Sequence, residues 1–227
     1  MYQVETELPT SLKICGITDA EDLSVCLEAA VPWVGFNFLQ QSPRFIDPGA
    51  AVHLWRTAQM TASSAACGLV VEPKESDIRE LVEVFPELSA VQIHSKAPAS
   101  LDLSALKVAC GDRQIWLAIN VGDEKDVALA INLAKQVDLI LLDSKSKDKN
   151  LLGGTGHSFD WKLLSAISES SGVRWGLAGG IGPDNIVEAF KAGSHLVDLC
   201  SRIEVSPGKK DLEKLQSVID VWARVQK

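Results

Sequence analysis

The chain predicts an α/β fold, a single (β/α)₈ TIM barrel, and three observations carry that expectation. Short apolar runs rich in β-branched residues alternate with longer stretches of helical periodicity, the pattern of βα units on a parallel sheet. The runs number eight, the strand count of this barrel. The length of 227 residues falls in the range of roughly 200–250 residues that such barrels span as one unit, so one domain over 1–227 is expected, with 1–10 as a lead-in.

In order, the strand runs are 12–15, 33–38, 66–71, 90–94, 114–120, 139–143, 175–178 and 196–200. Helix-start signals fall between them. Thr18-Asp19-Ala20-Glu21 matches a capping box, Asp47-Pro48 places a cap before a first-turn proline, and Gly182-Pro183-Asp184-Asn185 opens another helix. The last helix, 211–225, carries Leu212, Leu215, Val218, Ile219 and Trp222 three or four apart, an apolar stripe that closes the outer ring. The fourth unit has the weakest pattern: 98–110 must supply a short helix, and a doubly wound open sheet competes there.

Composition excludes several classes. The chain is 46% hydrophobic and 23% charged, with a formal net charge of −8 and a pI near 5.0. No net positive field is available to release counterions, so neither nucleic acid nor an anionic membrane is an expected partner. Cys15, Cys26, Cys67, Cys110 and Cys200 are odd in number and scattered, with no Cys-x-x-Cys spacing. They suggest reduced thiols in a cytoplasmic protein rather than a disulfide framework or a structural zinc. The N-terminus lacks the basic and apolar regions of a signal peptide, and no window approaches the ~18 apolar residues of a membrane span.

In a barrel of this kind the active site is built from residues just beyond the C-terminal ends of the strands. Cys15 ends the first run, Arg44 follows the second, His94 ends the fourth and Asp143 the sixth. Glycine-rich turns follow the sixth and seventh, Gly153-Gly154-Thr155-Gly156 and Ala178-Gly179-Gly180, and Ser201-Arg202 follows the eighth. Glycine lets backbone N–H groups approach an anion closely, so Gly154, Thr155, Gly156, Gly179, Gly180, Ser201 and Arg202 are the candidate phosphate site. Singly, each of these residues has a bland reading. Cys15 would be a buried inert thiol, Asp143 a cap, Arg44 a solvated loop residue, His94 a satisfied core histidine, and each glycine run a plain turn. Their convergence on one predicted face favours function.

Taken together, the stretches resemble the phosphoribosylanthranilate isomerase family of tryptophan biosynthesis. The resemblance rests on Lys13-Ile14-Cys15-Gly16-Ile17-Thr18, Gly35-Phe36-Asn37-Phe38 through Ser42-Pro43-Arg44, Val91-Gln92-Ile93-His94, and Leu141-Leu142-Asp143. It continues through Gly153-Gly154-Thr155-Gly156 with Phe159-Asp160-Trp161, Leu177-Ala178-Gly179-Gly180, Pro183-Asp184-Asn185, Glu204, Pro207-Gly208 and Lys210-Asp211. The resemblance implies an Amadori rearrangement of N-(5-phosphoribosyl)anthranilate to the 1-deoxyribulose phosphate, with neither cofactor nor metal. Asp143 corresponds to the acid that protonates the ribose ring oxygen and Cys15 to the base that takes the C2 proton. Arg44 would meet the anthranilate carboxylate in a two-point hydrogen bond, and His94 would bind substrate. The partner implied is a small phosphosugar, and the assembly a monomer or a homodimer.

Both roles demand shifted pKa values, because a free aspartate near 3.9 is ionised at neutral pH and a free thiol near 8.5 is mostly protonated. Two positions depart from the family pattern: Ser95 stands where glycine usually follows the histidine, and Arg202 where glycine usually follows Ser201. The expectation is that the Arg202 guanidinium adds a charge-assisted bond to the phosphate. The lysine-rich 145–149 is a solvated charge run or an aid to anion steering. Two other readings stay open: a related barrel isomerase acting on another phosphosugar, and a non-catalytic phosphosugar-binding protein on the same scaffold.

Overall fold

Each of the eight apolar runs forms a strand, and each strand pairs in parallel with the next. A computed structural model describes residues 10–58, 63–144, 161–168, 170 and 172–226. The order is β1 (Ser11–Cys15), α1 (Ala20–Glu28), β2 (Trp33–Asn37), α2 (Pro48–Ala58), β3 (Ala65–Val71), α3 (Glu75–Val84), β4 (Leu88–His94), α4 (Leu103–Cys110) and β5 (Gln114–Val121). It continues with α5 (Glu124–Leu133), β6 (Leu139–Ser144), α6 (Ser165–Ser168), β7 (Trp175–Leu177), α7 (Ile186–Lys191) and β8 (Leu196–Leu199). A hairpin of β9 (Glu204–Ser206) and β10 (Lys209–Lys210) precedes α8 (Leu212–Val225).

β8 returns to pair with β1 in the register Ser11↔Leu196, Leu12↔Val197, Lys13↔Asp198 and Ile14↔Leu199, which closes the sheet into a barrel. Closure removes the open-sheet alternative and leaves the barrel no unpaired edge. The fourth unit does supply its helix: a 3₁₀ turn at Pro98–Ser100 leads into α4, whose N-cap Asp102 accepts from Ala105 N at 3.0 Å.

Period-2 alternation sorts every strand into an outward and an inward set. Leu12, Ile14, Val34, Phe36, Val91, Ile93, Ile115, Leu117, Ile140, Leu142, Val197 and Leu199 join the helices in the main core. Phe36, Trp55 and Phe85 meet there, with ring centroids 5.8 to 6.5 Å apart. Cys67, Ala90, Trp116, Ala118, Leu139, Leu141, Ala178 and Leu196 form a second cluster inside the lumen. At its floor, Trp33 and Trp116 pack edge to face with centroids 4.6 Å apart.

Helix starts follow the sequence signals with one shift. Asp47 Oδ1 accepts from Gly49 N and Ala50 N at the head of α2. At α1, however, Asp19 rather than Thr18 is the cap, accepting from Asp22 N at 3.0 Å. The Thr18 hydroxyl is instead used over a long range, donating to the Gly208 carbonyl. The predicted stripe of α8 buries Leu215, Val218 and Ile219, with Leu212 and Trp222 partly buried beside them. Among the described residues no helix is long and apolar enough to cross a membrane.

Candidate active site

One cavity opens at the C-terminal end of the barrel, and Cys15, Arg44, His94, Asp143, Gly179, Gly180 and Ser201 all line it. These are seven of the residues singled out in the sequence, carried there by β1, β4, β6 and the loops after β2, β7 and β8. Gly154, Thr155 and Gly156, with the lysine-rich 145–149, lie outside the described residues.

Asp143 is the sixth strand's inward residue at the mouth, 6% exposed. Burial pushes its carboxyl up to about 6, the nearby Cys15 sulfur adding to the effect, while a 2.7 Å hydrogen bond from Ser144 N opposes it. Gly179 is part of this desolvation. Its φ is +82°, and a Cβ at that position would lie 2.5 Å from Asp143 Oδ1, so only glycine lets the β7 turn cover the carboxyl this closely. Gly180, with φ +64°, continues the turn. Its carbonyl accepts from Asn185 Nδ2 at 3.0 Å.

Cys15 is 4% exposed at the end of β1. Interaction with the neighbouring Cys200 thiol, which also donates to Glu204 Oε1 at 3.8 Å, draws its pKa well below the usual thiol range; burial works against this, and the positive charges of Lys13 and Lys210 assist it. Cys200 is pushed the other way, held as the thiol chiefly by the same interaction with Cys15. The pKa values of Asp143 and Cys15 are therefore moved toward each other.

Beneath Cys15, the fully buried Lys13 Nζ bonds Asp198 Oδ2 at 2.8 Å. Burial alone would lower Lys13, yet the charge of Asp198 keeps it raised and so cationic. Burial lifts Asp198 to about 7 against the pull of Lys13, and its Oδ1 has no partner among the described residues. Asp198 lines the cavity, as do Gln92 and Asn37. His94 shares a 2.8 Å hydrogen bond with the Gln92 amide, and burial followed by the Lys13 charge lowers it to about 4, which keeps the ring neutral.

Arg44 is fixed by a two-point clamp: Nε lies 3.0 Å from Glu204 Oε1 and Nη2 2.7 Å from Glu204 Oε2. Glu204 also accepts from Lys210 Nζ at 3.0 Å, and Lys210 donates to the Cys15 carbonyl at 2.6 Å. The β9–β10 hairpin thus ties the Arg44 loop to the end of β1. With the Nε edge occupied, the opposite edge of the guanidinium is left for an anion in the cavity.

Arg202 approaches the Gly179–Gly180 turn from behind. Its Nη1 donates to the Gly180 carbonyl at 3.3 Å and its Nη2 pairs with Asp184 at 2.8 Å. It is not among the cavity-lining residues. Ser95 also points away from the cavity chemistry: its hydroxyl donates to Glu72 Oε2 at 2.8 Å and accepts from Ala97 N at 3.0 Å. Among the described residues the one group of three metal-ligand-type side chains is Asp19, Glu21 and Asp22 at the head of α1, already bridged by Lys209 Nζ at 2.8 to 3.0 Å.

The model of the N-(5'-phosphoribosyl)anthranilate (PRA) isomerase family matches residues 12–221. The chain belongs to the phosphoribosylanthranilate isomerase family. It is 34% identical to the N-(5'-phosphoribosyl)anthranilate isomerase of Paracoccus denitrificans over 215 residues, 93% of this chain and 96% of that protein. Among solved structures, phosphoribosylanthranilate isomerase from Thermotoga maritima superposes with a TM-score of 0.82 at 28% identity, covering 95% of this chain and 99% of that one. A further phosphoribosylanthranilate isomerase, in complex with reduced 1-(o-carboxyphenylamino)-1-deoxyribulose 5-phosphate, superposes with a TM-score of 0.78 at 26% identity, covering 95% and 99%.

Three residues at or beneath this cavity escape a reading of strand ends alone: Lys13, Gln92 and Asp198. A signal for two of them is present. Lys13 and Asp198 are charged residues within apolar runs of the first and last strands, which become neighbours only when a barrel closes.

Proposed function

We propose that Cys15 and Asp143 carry out the isomerisation of N-(5'-phosphoribosyl)anthranilate, a step of tryptophan biosynthesis, as general base and general acid. The observation that carries this reading is that the two residues, from β1 and β6, line one cavity with their pKa values displaced in opposite directions. A carboxyl raised to about 6 retains a useful protonated fraction near neutrality, and a lowered thiol supplies thiolate.

Asp143 protonates the ribose ring oxygen as the C1–O bond breaks, and the anthranilate nitrogen lone pair forms the iminium. The Cys15 thiolate then takes the C2 proton, whose acidity the iminium raises, to give an enaminol. Return of a proton to C1 and loss of one from the C2 hydroxyl complete the ketone with no net change in protons. Arg44, oriented by Glu204, meets the anthranilate carboxylate through its free edge, and the neutral His94 offers a hydrogen-bonding ring nitrogen to the substrate. The Gly179–Gly180 turn and Ser201 hold the phosphate together with Gly154, Thr155 and Gly156. Arg202 braces that turn through the Gly180 carbonyl.

The test is turnover of freshly generated phosphoribosylanthranilate by Cys15→Ala and Asp143→Ala, each checked for an intact barrel by circular dichroism. Both are expected to lose activity by about three orders of magnitude, within the range typical of positioned acids and bases. Full activity in either variant overturns its role. The same preparation, analysed by light scattering, distinguishes monomer from homodimer.

A further inference from the structure

Lys13 and Asp198 face each other across β1 and β8, and their side chains meet inside the lumen at 2.8 Å. The next inward step along β1 is Cys15, and the next along β8 is Cys200, because a strand returns the same face every second residue. The register Ile14↔Leu199 therefore places Cys15 beside Cys200, one layer above the ion pair. Both thiols line the cavity. Adjacent strands run about 4.8 Å apart, inside the Cα separations of roughly 4.4–6.8 Å that a disulfide bridges.

We propose that Cys15 and Cys200 form a peroxide-sensitive dithiol that closes to a disulfide across β1 and β8 in the wall of the site. The Cys15 sulfur attacks one oxygen of a peroxide; the S–O bond forms, the O–O bond breaks, and with hydrogen peroxide the departing hydroxide takes a proton to become water. The Cys200 sulfur then attacks the sulfenic sulfur. The S–S bond forms, the S–O bond breaks, and the leaving hydroxide takes the Cys200 proton. Two electrons pass from the sulfur pair to the peroxide, and two thiols and one hydrogen peroxide become one disulfide and two waters. A dithiol reductant reverses the oxidation.

The chemistry favours this pair over the other cysteines. Thiolate character makes Cys15 the sulfur that reacts with peroxide, and Cys200 is the more accessible resolving thiol. Burial holds Cys26 and Cys67 at about 12 and Cys110 at about 11, so all three stay protonated. Cys67 shares the lumen, but the pairings Cys15↔Gly35 and Gly35↔Cys67 set it two strands away. Two strand spacings, about 9.6 Å, exceed the reach of a disulfide. Reversible disulfides in reducing compartments are commonly of this regulatory kind.

The chemical change stands apart from the catalytic reading, whereas the loss of activity rests on Cys15 being the base. The experiment treats the full chain with stoichiometric hydrogen peroxide, alkylates remaining thiols and maps peptides without reduction. The expected result is a Cys15–Cys200 linked peptide, activity lost in proportion to the linked fraction, and recovery with dithiothreitol. In Cys200→Ser, with Cys200→Ala as the second variant, no linked peptide forms, Cys15 is trapped as a dimedone adduct, and prolonged peroxide causes a loss that dithiothreitol does not restore. Wild-type protein with Cys200 alkylated and Cys15 either unmodified or over-oxidised overturns the proposal. A linked peptide with undiminished activity leaves the disulfide standing and removes Cys15 from catalysis.

Discussion

At the floor of the barrel Trp33 and Trp116 meet edge to face among alanine and leucine side chains, whereas at the mouth β1, β4, β6 and β8 present Cys15, His94, Asp143 and Asp198. The change occurs in steps of two residues. Along β6 the inward positions read Leu139, Leu141, Asp143, and along β8 Leu196, Asp198 and then Cys200 beyond the strand. The lower half gains stability from apolar area and aromatic packing. The upper half gives some of that stability back by burying groups that would rather be hydrated, and the resulting pKa shifts are those the proposed acid and base need. Stability and reactivity are thus separated along the barrel axis, and substitutions at the two ends should separate as well.

The largest effect belongs to the mouth. Cys15→Ala and Asp143→Ala should lose about three orders of magnitude in kcat/KM, equivalent to roughly 4 kcal/mol of transition-state stabilisation, without loss of stability. At the floor, Trp116→Ala should do the opposite. It should cost about 3–5 kcal/mol in urea-measured stability while the folded fraction keeps its kcat.

Asp143→Asn probes the exchange between the two properties. Because burial raises Asp143 to about 6 from 3.8, the folded state favours the protonated form. That contribution is fully present below the unfolded pKa and is lost as pH rises through about 6. Asparagine removes the penalty, so the variant should exceed the parent in stability by of order 3 kcal/mol at pH 8, with the advantage gone near pH 3. A pH series of denaturant melts reads the sign directly. In the parent, kcat/KM should fall on the alkaline side as Asp143 ionises and on the acid side as Cys15 gains its proton.

Arg44→Lys replaces a planar fork by a point charge and cannot keep both bonds to Glu204. KM for phosphoribosylanthranilate should rise by about 10–100-fold, equivalent to roughly 1–3 kcal/mol, with a smaller change in kcat. The smallest effect is expected for Ser95→Gly. Loss of the hydroxyl bond to Glu72 should cost about 1 kcal/mol or less of stability and leave turnover within about twofold. A large activity change there would bring the β4 loop into the chemistry and blur the division between rigid support and reactive mouth.

How much of this was legible before the fold differs by residue. Cys15 and Asp143 were visible because they end apolar runs, and in a parallel barrel strand ends are where side chains leave the packed layers. Arg44 was visible as a charged residue just past the second strand, but its clamp was not, since Glu204 lies 160 residues further on. Arg202 was visible as a guanidinium beside a glycine turn, but its bonds to Asp184 and the Gly180 carbonyl were not. The helix start at Thr18 slipped by one residue because the Gly208 carbonyl, distant in sequence, claims the Thr18 hydroxyl.

By itself the sequence determined the eight strands, the starts of α2, α7 and α8 and the candidates at the strand ends. Those features follow from local rules: a period of two, a period of 3.6, and caps that act within one turn. Only the tertiary structure decided that Lys13 pairs with Asp198, that Cys200 stands beside Cys15, that Glu204 orients Arg44, and that Gly179 seals Asp143 from water. The first three depend on ring closure bringing the ends of the chain together, the last on the pairing of β6 with β7. Desolvation and Coulomb interactions depend on distance in space and on neighbouring dielectric, and neither quantity is written in the order of residues.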